Sequence, residues 1–131
     1  MRAYLVDTWY FIALLDRLDS HHRRALRLEH EVTGADLFTH EYVLSEVLSY
    51  FSDAGAALRQ RCAAAVRSAL TDMHVVAPDF RRALKLYEER PDKDYSLVDC
   101  MSMLVMRDRG IHHVLTNDHH FAQEGFTLLN A

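Results

Sequence analysis

Between Ser96 and Met106 the chain runs Ser-Leu-Val-Asp-Cys-Met-Ser-Met-Leu-Val-Met, with no Gly or Pro. Leu and Met are good helix formers, so the run predicts a helix. It is apolar nearly all the way round, and a helix of that kind is buried on most sides. Inside it sits one carboxylate, Asp99. An ionised Asp in apolar surroundings is costly unless it is hydrogen-bonded, paired or bound to a metal. One remedy is local: Ser96 and Asp99 fit a capping box, in which both side chains satisfy free N–H groups at the helix start. The other is a cation. The local pattern leaves both open.

Elsewhere, short apolar runs alternate with helical patterns. Residues Ala3 to Val6 read as a first strand, and Thr8 to Leu15 as a helix with Asp7 or Thr8 at its cap. Asp19-Ser20 opens a second helix to about Val32, which Gly34 stops. Asp36 to Thr39 is a second strand, and Glu41 to Phe51 has helical apolar spacing. Asp53-Ala54-Gly55 breaks the chain before an Ala-rich helix from Ala56 to Leu70. Met73 to Val76 reads as a third strand, with Pro78 in the first turn of a helix through Asp79 to Glu89. A polar loop from Arg90 to Asp94 leads into the Asp99 helix, which ends at Arg109-Gly110. His113 to Thr116, a helical turn from His119 to Glu124, and Phe126 to Leu129 complete the chain. Strands alternating with helices predict an α/β fold: a central, mostly parallel sheet of four to five short strands flanked by helices.

The length of 131 residues fits a single domain over 1–131. Half the residues are hydrophobic and 26% are charged, as in an ordinary globular protein. No run approaches the length needed to span a membrane, and the N-terminus lacks a signal-peptide pattern. Cys62 and Cys100 lie in apparent helices with no C-x-x-C, so a reducing, cytoplasmic setting is expected. A net charge of −4 excludes a bulk polyanion binder; nucleic-acid contact would need a local basic stripe. Arg59, Arg61, Arg81, Arg82, Lys85, Arg90 and Lys93 are the candidates. The nine histidines scatter without the spacing of a zinc site.

Three further carboxylates share the oddity of Asp99. Asp7 and Asp118 each follow an apolar strand, at the edge where open α/β sheets bind ligands. Glu46 stands with Val43, Val47 and Tyr50 at i, i+3, i+4 and i+7 spacing, on the apolar stripe of its helix. Acids converging at one edge raise one another's pKa, and a hard divalent cation relieves the repulsion. Mg²⁺ and Mn²⁺ take oxygen ligands and perform phosphodiester chemistry without a protein nucleophile. Each acid also has a plain structural reading: Asp7 and Asp118 as N-caps, Glu46 as a rim residue, Asp94 as a solvated loop residue.

Four stretches carry a resemblance: Val6-Asp7-Thr8, Leu44-Ser45-Glu46-Val47, Tyr95-Ser96-Leu97-Val98-Asp99-Cys100-Met101-Ser102 and Leu115-Thr116-Asn117-Asp118-His119-His120-Phe121. In that order, with Asp19-Ser20-His21-His22, they resemble the motif series of PIN-domain proteins, most closely the VapC-type ribonuclease toxins of toxin–antitoxin modules. The resemblance spans the whole chain. It implies a Mg²⁺- or Mn²⁺-dependent endoribonuclease, a homodimer, and a partner antitoxin whose tail inserts a cation into the acidic pocket. Asp7, Glu46, Asp99 and Asp118 match the family's acidic quartet as catalytic and metal-binding residues. Thr8 and Thr116 match hydroxyl positions beside it, and Ser96 either joins them or only caps. Some PIN domains carry another acid two residues after the one matching Asp118; here that place is His120.

Two other readings compete. A receiver-like phosphoacceptor domain has similar size and topology, but it would need paired acids after the first strand and a Lys after the last. A non-catalytic relative that keeps the fold for RNA binding or interaction is the other, because fold alone never fixes activity.

Overall fold

The computed structural model describes residues 2–129. Twelve elements follow in the order β1 (Ala3–Val6), α1 (Thr8–Leu15), α2 (His22–Glu31), β2 (Asp36–Thr39), α3 (Glu41–Tyr50), α4 (Ala56–Asp72), β3 (His74–Val75), α5 (Phe80–Glu89), α6 (Leu97–Arg109), β4 (His113–Leu115), α7 (His120–Gln123) and β5 (Thr127–Leu128). The five strands form one sheet in the order β3-β2-β1-β4-β5, and every neighbouring pair is parallel. Parallel neighbours need crossover connections, which is why a helix stands between consecutive strands.

Side chains on the strands alternate between two cores. Tyr4, Val6 and Leu115 face one, with α1 to α4; Leu5 and Val114 face the other, with α5 to α7. The sheet is therefore covered on both faces, as expected of a parallel sheet whose strands read as continuous apolar runs. α6 explains its all-round apolarity in this frame: Cys100, Met101, Ser102, Met103, Val105 and Met106 are all buried. Gly110 closes it at φ 66°, a left-handed position that Gly takes without the Cβ penalty.

Several boundaries differ from the sequence reading: β3 and β5 are two residues long rather than four, α4 runs on to Asp72, and helix starts move. Asp19-Ser20 does not open α2; the Asp19 carboxylate instead accepts from His21 N at 2.8 Å in a turn, and the helix starts at His22. Pro78 lies outside α5, whose N-cap is Asp79, accepting from Arg82 N at 3.1 Å. In both places an Asx bond to the backbone, rather than the nearest punctuating residue, sets where the chain turns. Among the described residues no helix is long and apolar enough to cross a membrane.

Candidate active site

The strand order runs outward from β1 to β2 and β3 on one side, and from β4 to β5 on the other. The crevice between β1 and β4 is thus the topological switch point, where such sheets bind ligands. Asp7 leaves the end of β1, and its N–H donates to Leu115 O at 3.3 Å. Asp118 stands just beyond β4. The helices α1, α3 and α6 bring Thr8, Glu46 and Asp99 to the same opening. The resulting cleft, of about 500 Å³, is lined by Asp7, Thr8, Glu46, Asp99, Thr116, Asp118 and His120, and also by Trp9, Asp94, Ser96 and Asn117. All seven site residues named from the sequence meet there.

Two hydroxyls organise the acids. Thr116 Oγ1, fully buried, donates to Asp7 Oδ2 at 2.7 Å and accepts from Asp118 N at 3.1 Å. Thr8 Oγ1 donates to Glu46 Oε1 at 2.6 Å. Asp7 occupies the N-cap position of α1 without a side-chain capping bond, so its plain reading as a cap fails. Asp118 accepts from His120 N at 2.9 Å, while the N-cap of α7 is His119. Asp99 satisfies both remedies at once. It completes the capping box with Ser96, each donating its backbone N–H to the other's side chain at 3.0 Å, and it also faces His120 and Asp118 across the cleft.

Burial pushes the Asp7 carboxyl from its ordinary 3.8 up to about 7; the Thr116 hydrogen bond opposes this, and the charges of Asp99 and Glu46 add to it. Asp99 is raised as well, first by burial and further by Asp118, against the Ser96 backbone bond and His120. Carboxylates buried together with few cations strain toward protonation, and hard oxygen donors of that kind suit Mg²⁺ or Mn²⁺. His120 sits at the centre of this charge. Its Nδ1 lies 3.1 Å from Asp99 Oδ2 and 3.1 Å from Asp118 Oδ1. Asp99, Asp118 and His120 form the one set of three metal-ligating side chains, among the described residues, whose ligand atoms lie within 4.8 Å of one another. Asp7 and Glu46 stand outside that set, on the same cleft.

The sequence reading missed two polar assemblies outside the cleft lining. The Glu124 carboxylate accepts from Arg90 Nε and NH2 at 3.1 and 3.2 Å, Arg107 NH2 at 2.8 Å and Tyr95 Oη at 2.8 Å. Burial would raise its pKa, but these donors hold it below the usual range. The Tyr95 ring packs 5.3 Å from that of His120, so the Glu124 cluster backs one wall of the cleft. The second assembly is buried His40, whose Nδ1 accepts from Val43 N at 3.4 Å and whose Nε2 bonds Ser102 Oγ at 2.9 Å, joining α3 to α6. Burial lowers its pKa from 6.5 to about 4.

None of the seven basic candidates lines the cleft. Arg59 and Arg61 donate to the backbone carbonyls of Ser52 and Leu15, Arg82 pairs with Asp108, and Arg90 is held by Glu124. Asp94 is exposed, as expected of a loop residue, yet it lies on the rim of the cleft. The Trp9 ring stands 5.6 Å from that of His21, from the Asp19–His22 stretch, which ties that turn to the cleft wall.

Comparison with known proteins follows the same lines. A VapC toxin of Mycobacterium tuberculosis, VapC20, described as cleaving the sarcin-ricin loop, is 25% identical and superposes with a TM-score of 0.85 over 98% of this chain and 99% of that one. The DNA-bound VapBC of Salmonella typhimurium, at 18% identity, and the promoter-bound VapBC2 of Rickettsia felis, at 14%, each cover 98% of both chains with a TM-score of 0.67, and so share the fold. No curated protein sequence matches significantly. The PIN domain pattern matches residues 4–126, a span that holds every strand-end acid of the cleft and all but a few described residues at either end. This chain belongs to the PIN domain family.

Proposed function

We propose that this protein is a VapC-type endoribonuclease that hydrolyses phosphodiester bonds in RNA at the acidic cleft, using Mg²⁺ or Mn²⁺. The observation that carries the reading is the cleft itself: four carboxylates gathered at the switch point of a PIN fold, with Asp7 and Asp99 pushed upward by burial and by their neighbours. Asp7, Glu46, Asp99 and Asp118 are the residues that would hold the metal. The group supplies charge stabilisation at the phosphate and activation of a water.

The chain's own residues prepare that chemistry. Thr116 anchors Asp7 and the Asp118 backbone together, which fixes the spacing between β1 and β4 at their ends. Thr8 holds one Glu46 oxygen at 2.6 Å, which directs the carboxylate into the cleft. Ser96 orients Asp99 through the capping box. Fixed carboxylates cost no reorganisation when charge develops at a phosphate, which is the main source of catalysis in such sites.

The VapBC complexes among the similar structures support an antitoxin partner for this chain, with a homodimer, one domain over 1–131 and a cytoplasmic setting as parts of the same proposal. The experiment is cleavage of total RNA by the purified protein with Mg²⁺, with Mn²⁺ and with EDTA, beside Asp99→Asn. Discrete fragments that vanish with EDTA and fall at least a hundredfold in the variant are expected. A folded wild type that binds Mn²⁺ but leaves RNA intact overturns the nuclease reading in favour of a non-catalytic PIN domain.

A further inference from the structure

The four carboxylates do not exhaust the ligating atoms of the cleft. His120 follows Asp118 by two residues, and the bond from its own N–H to Asp118 Oδ1 (2.9 Å) ties the two side chains to one turn. Its ring nitrogen Nδ1 then stands 3.1 Å from Asp118 Oδ1 and 3.1 Å from Asp99 Oδ2, on a different helix. Adjacent ligand atoms of an octahedral ion with bonds near 2.1 Å lie about 3 Å apart, and opposite ones about 4 Å. The two distances from Nδ1 match neighbouring positions, and all three residues offer ligand atoms within 4.8 Å of one another. The ring is also held from behind, since Tyr95 packs at 5.3 Å and is itself fixed by Glu124.

We infer that His120 is a direct ligand, through Nδ1, of a divalent cation shared with Asp99 and Asp118, so that this part of the cleft is a mixed nitrogen–oxygen site. The inference rests on the metal-dependent reading above and sharpens it. Bound in this way, Nδ1 offers its lone pair and Nε2 carries the ring proton. Imidazole suits the later transition ions, whereas Mg²⁺ and Ca²⁺ prefer an all-oxygen shell. Mn²⁺ is the first and hardest ion of that series and is at home with oxygen, yet it accepts a nitrogen donor more readily than Mg²⁺, so the ring tilts the site modestly toward Mn²⁺. The competing arrangement is a ring N–H that only donates to the two acids, with the ion held by oxygen elsewhere in the cleft.

Pulsed EPR separates the two. Mn²⁺-loaded full-length protein is examined for ¹⁴N modulation at the Mn²⁺ signal, in the wild type, His120→Gln and His120→Asp, with Mn²⁺ affinity and Mg²⁺ competition measured by titration. The wild type should show directly bonded ¹⁴N. His120→Gln should lose it and bind Mn²⁺ at least tenfold more weakly, since even outer-shell partners are worth 10–100-fold. His120→Asp should bind Mn²⁺ without ¹⁴N and tolerate Mg²⁺ better. Absence of ¹⁴N coupling in Mn²⁺-loaded wild type overturns the inference, as does coupling that persists in either variant. If that wild type still cleaves RNA in an Asp99-dependent way, the nuclease reading stands and only the role of His120 falls. A wild type that binds no Mn²⁺ overturns the inference, and one that binds neither Mn²⁺ nor Mg²⁺ overturns both.

Discussion

Asp7→Asn should stabilise the metal-free protein at neutral pH, and the size of the effect follows from the cleft. Asn keeps the shape and still accepts the hydrogen bond from Thr116 Oγ1. The wild-type carboxyl sits near pH 7 in the fold against 3.8 when free. An acid raised in this way keeps its proton in the folded state between those values. Its contribution to stability is intact below 3.8 and is lost as pH rises through 7. At about 1.4 kcal/mol per pH unit, the loss reaches about 4 kcal/mol above pH 7. His40 works in the opposite sense. Burial lowers it from 6.5 to about 4, so the fold keeps it neutral and loses about 3 kcal/mol as pH falls from 6.5 through 4.

The two slopes nearly cancel in the wild type across pH 4 to 6.5, which gives a flat profile there. Removing Asp7 exposes the His40 slope alone. Urea unfolding of both proteins in EDTA, from pH 4.5 to 8, should show Asp7→Asn ahead by little at the acid end and by about 4 kcal/mol at pH 8. Saturating Mn²⁺ should then recover much of the gap in the wild type, since a ligand at 100 times its Kd adds about 2.7 kcal/mol. A difference between the two proteins that does not grow with pH would refute the placement of Asp7 as a buried, charge-crowded acid. So would an Asn variant less stable than wild type at pH 8.

Two predictions concern the His40–Ser102 pair and the Glu124 cluster. Ser102→Ala leaves the His40 Nε2–H buried without its acceptor and should cost about 1–3 kcal/mol by urea unfolding; a change under 0.5 kcal/mol would mean the pair is not formed in solution. Glu124→Gln removes the charge that gathers Arg90, Arg107 and Tyr95, and should cost about 2 kcal/mol, below the figure for a fully buried pair because Arg107 is 43% exposed. The same variant should quench the ordering of Tyr95 against His120, read as a shift of the His120 ring signals by NMR; unchanged signals would detach the cluster from the cleft.

What the sequence made legible divides cleanly by distance along the chain. β1, α1 and β2 fall on the expected residues because each is set by a local run of apolar residues and a local stop. Asp99 was recognisable as out of place because an acid in an all-apolar helix contradicts its surroundings, and the structure shows why neither reading had to lose. One carboxylate has lone pairs enough to cap its own helix and to face a neighbouring acid. The bonds that make the cleft a rigid object are of another kind. Thr116 reaches Asp7 across 109 positions, His40 reaches Ser102 across 62, and Thr8 reaches Glu46 across 38. No periodicity encodes such pairs, since a threonine or histidine carries the same local signal whether it meets solvent or a buried acid. The basic residues make the converse point. Arg82 and Arg90 read as nucleic-acid contacts, but Asp108 and Glu124 already hold them, and those partners lie 26 and 34 positions away. Which residues share the strand-end crevice can thus be read from pattern and topology, because strand ends converge by rule. Their protonation cannot, because it depends on which distant hydroxyl, ring or guanidinium the fold sets beside them.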